Sequence, residues 1–353
     1  MPRERIVSPE SQGPEEEWSS AALRPSRLDE VIGQHDLREK LTIAIQAARA
    51  RKEPLEHILF HGPPGLGKTT LAHVVAAEMG AGIKTTSGPA LTRPADLVGI
   101  LTNLQKGDVL FIDEVHRLGP VVEEFIYPAM EDFRIDITMD RGSFARTINM
   151  PLVPFTMIGA TTRAGFLSAP LRERFGIFHH FSFYPEPDLV EIARRTARLL
   201  AVDAEAEALD EVARRSRGTP RICIRLMRRV RDYAQVKGDG RITTPIARQA
   251  LEMEAVDAGG LDKLDRAFLR TLIAVYNGGP AGIEALAATL NEEVDTLVDM
   301  VEPYLLKTGY VARTRQGRTA TAAAYEHLAL TPPAGVKPPT KKAGQEPDLF
   351  DTP

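Results

Sequence analysis

The segment Gly62–Thr70, with the sequence GPPGLGKTT, limits the possible folds more than any other feature of the chain. It contains the pattern G-x-x-x-x-G-K-[ST] of a phosphate-binding loop. Such a loop joins a β-strand to a helix, and here the apolar run Ile58–Phe60 precedes it and a helical stretch follows. The pattern places Lys68 at the β- and γ-phosphates of a nucleotide and the Thr69 hydroxyl on Mg²⁺. The alternative is a Gly- and Pro-rich turn in front of an ordinary helix.

A second apolar strand ends in two carboxylates. Val109–Ile112 is followed directly by Asp113 and Glu114. After a phosphate loop, this arrangement predicts that Asp113 holds Mg²⁺ through water. Glu114, turned to the other side of the strand, would activate the attacking water as a general base. Without the phosphate loop, the same pattern would describe a solvated strand end.

Two further segments carry candidates for the same chemistry. Thr161 ends the apolar run Thr156–Thr161, and its hydroxyl would bind the γ-phosphate or the attacking water, unless it only satisfies local backbone. Arg172 and Arg174 are two cations that precede the next apolar segment. One of them would act in trans on a neighbouring nucleotide, and a surface ion pair is the open alternative.

An arginine-rich helix start follows farther along the chain. Thr219 is placed as an N-cap and Pro220 as the first helical residue. Arg221 would then project from the first turn towards a bound nucleotide. The surrounding run Arg214–Arg231 holds eight arginines and no acid, so contact with DNA and contact with nucleotide phosphates both remain open.

The order of elements predicts an α/β layer and then helical domains. Strands at His57–His61, Val109–Ile112 and Thr156–Thr161 alternate with helices such as Lys68–Met79, which is typical of a parallel sheet. Beyond Pro185 the strand signals fade, and amphipathic helices are predicted at Leu189–Leu200 and Arg221–Val236.

A break at Ala258–Gly260 precedes a third region. It has three candidate helices and then a β-prone stretch with a turn at Gln316-Gly317; the predicted bounds are Leu261–Tyr276, Gly282–Leu290, Glu292–Leu306 and Tyr310–Thr321. We therefore expect a large nucleotide-binding domain over 21–185, a small helical lid over 186–257 and a third domain over 258–330. Residues 1–20 and 331–353 read as flexible tails.

A local basic patch stands out in the third region. Lys307, Arg313, Arg315 and Arg318 occur within twelve residues without an acid. Helices followed by a basic hairpin are the outline of a winged-helix DNA-binding domain, whose hairpin contacts phosphates or the minor groove. A solvated basic turn is the alternative.

Composition excludes several classes of protein. The 353 residues are 43% hydrophobic and 26% charged, as in ordinary globular proteins. The net charge of −4 leaves nucleic-acid contacts to local patches. A single cysteine, Cys223, rules out an internal disulfide and is expected in the core. The sequence shows neither a signal peptide nor an apolar run that could span a membrane, so we expect a cytoplasmic protein.

A hairpin is expected inside the first domain. Ile135–Met139 and Phe144–Met150 flank the turn residues Asp140–Ser143. Its apolar side chains, which include Ile137, Met139, Phe144 and Ile148, would bind a partner or pack on the parent domain. His179-His180 are interpreted as strand residues and not as metal ligands.

Taken together, these segments resemble the AAA+ ATPases and, among them, the RuvB family of bacterial Holliday-junction branch-migration motors. The likeness covers about residues 20–330. Its motifs are Arg24-Pro25, Val31–Gln34, GPPGLGKTT, Thr85–Pro89, Phe111–Leu118, Tyr127–Asp132, Gly159–Arg163, Leu171–Gly176, Gly218–Arg221 and Glu302–Leu305. Their combination in this order is specific, whereas the phosphate loop alone marks a large superclass.

The resemblance implies a P-loop ATPase with a parallel-sheet core, a lid and a winged-helix domain, with ATP as substrate and Mg²⁺ as cofactor. It implies that Leu23 and Arg24 lie by the adenine and that Gly65, Lys68, Thr69 and Thr70 hold phosphates and Mg²⁺. It also assigns Glu131, Asp132, Phe133 and Tyr184 to the nucleotide site. Three further residues receive roles there: Thr161 as first sensor, Arg174 as trans-acting finger and Arg221 as second sensor. Arg313 and Arg318 would contact DNA.

The resemblance also implies partners. The chain would form a homohexamer on the duplex arms of a Holliday junction, dock on RuvA through the hairpin 135–150, and take part in a RuvC-containing resolvasome. Its work would be homologous recombination and DNA repair, including the SOS response. No membrane is implied.

Two other functions remain open at this point. One is a different AAA+ machine, such as a clamp-loader subunit or a replication-initiation ATPase. The other is a nucleotide-switched scaffold that binds ATP without hydrolysing it. The intact pair Asp113-Glu114 counts against the second.

Overall fold

The computed structural model describes residues 23–139 and 146–332, with the side chains of all but 137–139 and 146–147. The expected tails, apart from Thr331 and Pro332, and the hairpin tip with Phe144 lie outside this part of the chain. The described residues up to Glu254 form one compact unit, and those from Ala255 form a second.

The first unit contains seven strands and nine α-helices among its described residues. The strands are β1 (Ile58–His61), β2 (Ile83–Ser87), β3 (Val109–Asp113), β4 (Arg134–Met139), β5 (Arg146–Pro151), β6 (Thr156–Thr161) and β7 (Ile177–His180). The helices are α1 (His35–Arg51), α2 (Lys68–Met79), α3 (Pro94–Leu101), α4 (Pro120–Glu131), α5 (Ala169–Glu173), α6 (Glu186–Leu199), α7 (Ala206–Arg215), α8 (Pro220–Lys237) and α9 (Thr244–Met253).

Five strands form the expected parallel sheet, in the order β2-β3-β6-β1-β7. Every residue of β6 is buried, and β1 and β3 are buried except at their last residues. Strands covered on both faces read as continuous apolar runs, which is why the sequence located them within a residue or two. Because parallel strands end at one edge, Gly62, Glu114 and Thr161 come to the same side of the sheet.

The remaining strands β4 and β5 form an antiparallel hairpin, as predicted, in which Ile137 pairs with Ile148. Its base belongs to the core, because Ile135 is fully buried in the cluster that underlies the sheet. Ile148 is half-exposed. The hairpin therefore both packs on the parent domain and keeps an apolar side chain at the surface.

Helices α6–α9 form the predicted helical lid region. Within the arginine-rich run, Arg215, Arg217 and Arg225 are buried, and Arg215 donates to the buried carboxylate of Glu211. Buried arginines are not available to DNA, so these three of the eight do not contribute to a DNA-binding surface. Cys223 is buried as predicted, and burial raises the pKa of its thiol to about 12.

The second unit has the winged-helix outline that the sequence predicts. Its elements are α10 (Lys263–Ala274), α11 (Ile283–Leu290), α12 (Val294–Thr296), a π-helical turn (Leu297–Val301), α13 (Glu302–Lys307), β8 (Val311–Thr314), β9 (Gly317–Ala320) and α14 (Ala322–His327). Strands β8 and β9 form the expected hairpin, the wing.

Two predictions for this unit were wrong in detail. The single helix expected over Glu292–Leu306 is divided by the π-helical turn. The wing turns at Arg315-Gln316, because Gly317 already belongs to β9. Gly317 has φ +142°, and a Cβ there would lie 2.4 Å from the carbonyl oxygen of Ala281, so close backbone approach explains this glycine.

None of the helices in the described residues is long and apolar enough to cross a membrane.

Candidate functional site

The loop between β1 and α2 has the geometry of a phosphate cradle. Gly62, Gly65 and Gly67 have φ values of +137°, +78° and +99°, which only glycine adopts readily. Helix α2 begins at Lys68, as predicted, so its first N–H groups point out of the helix end into the loop. A helix end of this kind attracts anions.

Lys68 lies under this loop and is 7% exposed. Its ammonium donates to the carbonyl oxygens of Gly62 and Pro63, both at 2.8 Å. Burial lowers the pKa of Lys68 to about 8; the charge of Asp113 opposes this shift and that of Arg221 adds to it. A cation is therefore held where the loop would receive phosphate.

The two carboxylates after β3 have different surroundings. Burial raises the pKa of Asp113, whose Oδ1 accepts the Glu114 N–H at 2.9 Å. Glu114 has φ +48°, in the left-handed region. The prediction that it continues the strand on the other side was wrong, since the chain leaves the strand at Asp113 and turns. The Glu114 carboxylate instead accepts from Arg117 at 2.9 Å.

Thr161 ends β6 and is 1% exposed. Its hydroxyl oxygen accepts the Arg163 N–H at 3.0 Å and lies 2.9 Å from Nδ1 of His116. The contact with His116 joins the hydroxyl to the short turn that follows Glu114. The contact with the Arg163 N–H is the local backbone bond that the alternative interpretation expected. His116 was missed by sequence reasoning, although it follows Asp113-Glu114-Val115 directly.

The lid region reaches the phosphate loop through two residues. The Arg221 N–H donates to the carbonyl oxygen of Gly65 at 3.3 Å, and the Tyr184 hydroxyl donates to that of Leu66 at 3.3 Å. Burial raises the pKa of Tyr184. Thr219 and Pro220 take the predicted first positions of α8, but the Thr219 side chain does not cap it. Because the Arg221 charge acts on the pKa of Lys68, the second-sensor candidate lies close to the loop.

The segment before α1 lies along α2. Leu23 is buried. The pKa of His73 on α2 is lowered mainly by burial and further by the charge of Arg24, which therefore lies nearby. Gly33 has φ +72°, and a Cβ there would lie 2.6 Å from Cε1 of Tyr184. The predicted adenine contacts are therefore neighbours of the helix that begins at Lys68. Thr69 and Thr70 occupy its first turn.

A second group of candidates forms around Arg174. Its Nη2 lies 3.0 Å from Glu131 Oε1, and its guanidinium lies over the ring of Tyr127. Asp132 pairs with Arg134 at 3.2 Å. The Phe133 ring packs edge-on against Phe155, with centroids 5.8 Å apart. The structure brings Glu131 and Arg174 together, whereas Tyr184 and Arg221 contact the phosphate loop.

In the second unit the wing arginines meet at one carboxylate. Arg313 and Arg318 are register partners across β8 and β9, and both contact Glu302. Sequence reasoning missed Glu302, since a lone glutamate at a helix start carries no signal of burial. His179 and His180 lie in β7, as predicted, and among the described residues no group of His, Cys, Asp and Glu could hold a metal ion.

Comparisons with known protein families match the chain in three consecutive segments. The family described as Holliday junction DNA helicase RuvB P-loop domain matches residues 23–181. The RuvB AAA lid domain matches 184–257, and the RuvB C-terminal winged helix domain matches 258–329.

Solved structures of one bacterial protein are also similar to the chain. The Thermotoga maritima RuvB Holliday junction branch migration motor is 50% identical, with a TM-score of 0.80, over 88% of this chain and 99% of that chain. A lysine-to-arginine mutant of Thermotoga maritima RuvB is 50% identical, with a TM-score of 0.81, over 87% and 98%. A proline-to-glycine mutant is 51% identical, with a TM-score of 0.81, over 87% and 99%.

Proposed function

The chain belongs to the RuvB family of Holliday junction DNA helicases, and from this membership we propose that it is an ATP-driven motor for branch migration in homologous recombination and DNA repair. The observation that carries the proposal is the phosphate cradle. It combines a glycine loop, a buried lysine and a half-buried carboxylate at a strand end, and the backbone of Arg221 donates a hydrogen bond to the loop.

The phosphates of ATP would lie on the backbone N–H groups of Gly65 to Thr70, beside Lys68. Leu23 and Arg24 would line the adenine, and Tyr184 and Arg221 would close the site from the lid. The guanidinium of Arg221, whose charge lowers the pKa of Lys68, would bind the phosphates of the nucleotide, while its backbone N–H donates to the carbonyl oxygen of Gly65.

The residues present suit Mg²⁺. Asp113 is a half-buried carboxylate whose pKa is raised by its partial burial, so a cation beside it would restore the charged form, and the Thr69 hydroxyl is a second hard oxygen ligand. Thr69 and Asp113 would hold the ion, which when bound neutralises charge on the β- and γ-phosphates.

Hydrolysis requires Glu114 to orient and deprotonate the attacking water. In this structure its carboxylate is bonded to Arg117, so Glu114 must exchange that partner for water. Thr161 would sense the γ-phosphate, and its bond to His116 would transmit the change to the turn after Glu114.

Arg174 would complete the site of a neighbouring subunit in a homohexamer, with Glu131, Asp132 and Phe133 on the same face. An arginine in trans raises turnover by roughly 10³ to 10⁵ in phosphoryl transfer. The contacts of Arg174 support this role: among the residues that the structure describes, its side chain contacts Glu131, Tyr127 and Pro170 and does not bond to the phosphate loop.

The duplex arms of the junction would contact the wing through Arg313 and Arg318. Hairpin 135–150 would dock on RuvA, and half-exposed Ile148 supports that surface. A RuvC-containing resolvasome and a cytoplasmic location follow from the same function. A large domain over 21–185 would bind ATP, a lid over 186–257 would close the nucleotide site, and a head over 258–330 would contact DNA.

The test is steady-state phosphate release with and without a four-way DNA junction. Release that the junction stimulates and that Glu114→Gln abolishes supports a DNA motor. Nucleotide binding without release in the wild type would instead identify a switched scaffold. A clamp loader would also hydrolyse ATP, so movement of the junction is measured in parallel, and a clamp loader would leave the junction in place.

A further inference from the structure

One buried carboxylate lies between the two wing arginines. Glu302 is 1% exposed. Its Oε1 accepts from Arg318 Nε at 2.7 Å, and its Oε2 accepts from Arg318 Nη2 and from Arg313 Nη2, both at 3.1 Å. Both carboxylate oxygens are therefore engaged with arginines that the proposed function assigns to DNA.

The hairpin geometry explains why a carboxylate is needed there. Arg313 and Arg318 face each other across β8 and β9, and like charges directly opposite each other destabilise a sheet. Glu302 is the first residue of α13 and follows the π-helical turn directly, so it lies inside one continuous helical path that begins at Val294. The π-helical turn just before it adds one residue to the helical path and so rotates Glu302 by about 100° around the axis.

The two arginines are not equivalent. Arg318 makes two bonds to Glu302, and its side chain is 12% exposed. Arg313 makes one bond to Glu302, and its side chain is 55% exposed. A guanidinium has five N–H donors, so Arg313 keeps donors for a phosphate while its position is fixed.

We propose that Glu302 is a positioning residue for DNA binding, which anchors the wing through Arg318 and holds Arg313 at the surface for a DNA phosphate. The wing's role in DNA binding comes from the proposed function, on which this inference rests. It changes one assignment of the proposed function: Arg318 anchors the wing instead of contacting DNA, and Arg313 makes the phosphate contact.

The experiment measures the affinity of the full chain for duplex DNA by fluorescence anisotropy over a range of salt concentrations. Arg313→Ala should weaken binding and lower the slope of log K against log salt by about one. Glu302→Gln should weaken binding roughly tenfold, because a hydrogen bond to a charged group is lost and Arg313 is released. In the Arg313→Ala background, Glu302→Gln should then change affinity by less than about twofold.

The matched control is Arg315→Ala, which removes an arginine of the same wing at its turn. In that background Glu302→Gln should keep its full effect. A merely structural role of Glu302 predicts the same loss in all three backgrounds, and that result would overturn the inference. Unchanged or tighter binding by Glu302→Gln would overturn it as well.

Thermal unfolding of each variant shows whether the wing unit remains folded. If Glu302→Gln does not fold, Glu302→Asp replaces it, because aspartate keeps the charge and shortens the side chain. The loss of DNA affinity caused by Glu302→Asp should be smaller, and it should also disappear in the Arg313→Ala background. If Arg313→Ala itself leaves DNA binding and salt slope unchanged, the wing is not the DNA contact, and the proposed function of the wing fails together with this inference.

Discussion

The guanidinium of Arg174 lies over the ring of Tyr127, with its central carbon 4.2 Å from the ring centroid. The same guanidinium pairs with Glu131 at 3.0 Å and donates to the carbonyl oxygen of Pro170. Tyr127 in turn donates to Glu123, which also accepts from Ser168. Arg174 is therefore held in one orientation by its own chain before any neighbour is present.

Arg174→Ala should lower ATP turnover by at least about 10³-fold and leave ATP binding within about twofold, because an arginine in trans acts on the transition state. Turnover and equilibrium nucleotide binding are measured on the same preparation. Arg172→Ala is the matched control, because this cation lies two residues away and should retain turnover.

Mixing Arg174→Ala with Glu114→Gln chains tests the trans geometry directly. A hybrid interface that takes Arg174 from one chain and Glu114 from the other has a complete site, so some activity should return. Mixtures that stay inactive at every ratio would contradict action between subunits.

Gly33→Ala tests whether the segment before α1 positions Tyr184. Gly33 and Gly80 both have positive φ, +72° and +65°, so alanine costs about 1 kcal/mol of backbone strain at either position. Only at Gly33 does the new Cβ meet another group, at 2.6 Å from Tyr184. Gly33→Ala should therefore raise the KM for ATP about 2- to 10-fold, through loss of the Tyr184–Leu66 hydrogen bond.

Gly80→Ala is its control and should lower Tm by roughly 2–4 °C with an unchanged KM. Equal KM values in the two variants would show that Tyr184 does not depend on Gly33.

The stability of the first unit should fall in acid partly through His57. Its Nδ1 accepts the Met157 N–H at 2.8 Å and its Nε2 lies 3.0 Å from the Met130 carbonyl oxygen, so the ring is neutral with its proton on Nε2. Burial lowers the pKa of His57, while the bond to Met130 opposes the shift.

In the unfolded chain the pKa of a histidine is about 6.5. The unfolded state therefore binds more protons as the pH falls below that value, and the stability due to neutral His57 is present above it and lost below it. Urea unfolding of the wild type and His57→Gln between pH 7 and pH 5 measures this. The variant should start lower and show a flatter dependence on pH; parallel curves would contradict the account.

The sheet was predictable because its central strands are buried on both faces. Thr156–Thr161 has the same bounds in the sequence prediction and in the structure, and so does the helix Lys68–Met79, which follows a loop of fixed pattern. The sequence predicts less well the ends of strands and helices that depend on tertiary contacts. Gly317 lies in a strand because the backbone near Ala281 approaches it closely.

The site was predictable in its residues and less so in their contacts. Lys68 and Asp113 follow from spacing. The left-handed turn at Glu114, the bond from Thr161 to His116 and the burial of Glu302 all depend on groups distant in the sequence. No period or motif encodes those contacts, and they appear only when the elements are packed.

The measurement that tests the central claim most directly is ATP-driven branch migration of a synthetic Holliday junction, with and without RuvA. Lys68→Ala is the control, since it removes the buried cation that would hold the phosphates. The account predicts that the wild type moves the junction only with ATP, that RuvA stimulates the movement, and that Lys68→Ala does not support it. A junction that stays in place while DNA still stimulates phosphate release, or one that moves equally well with Lys68→Ala, would contradict it.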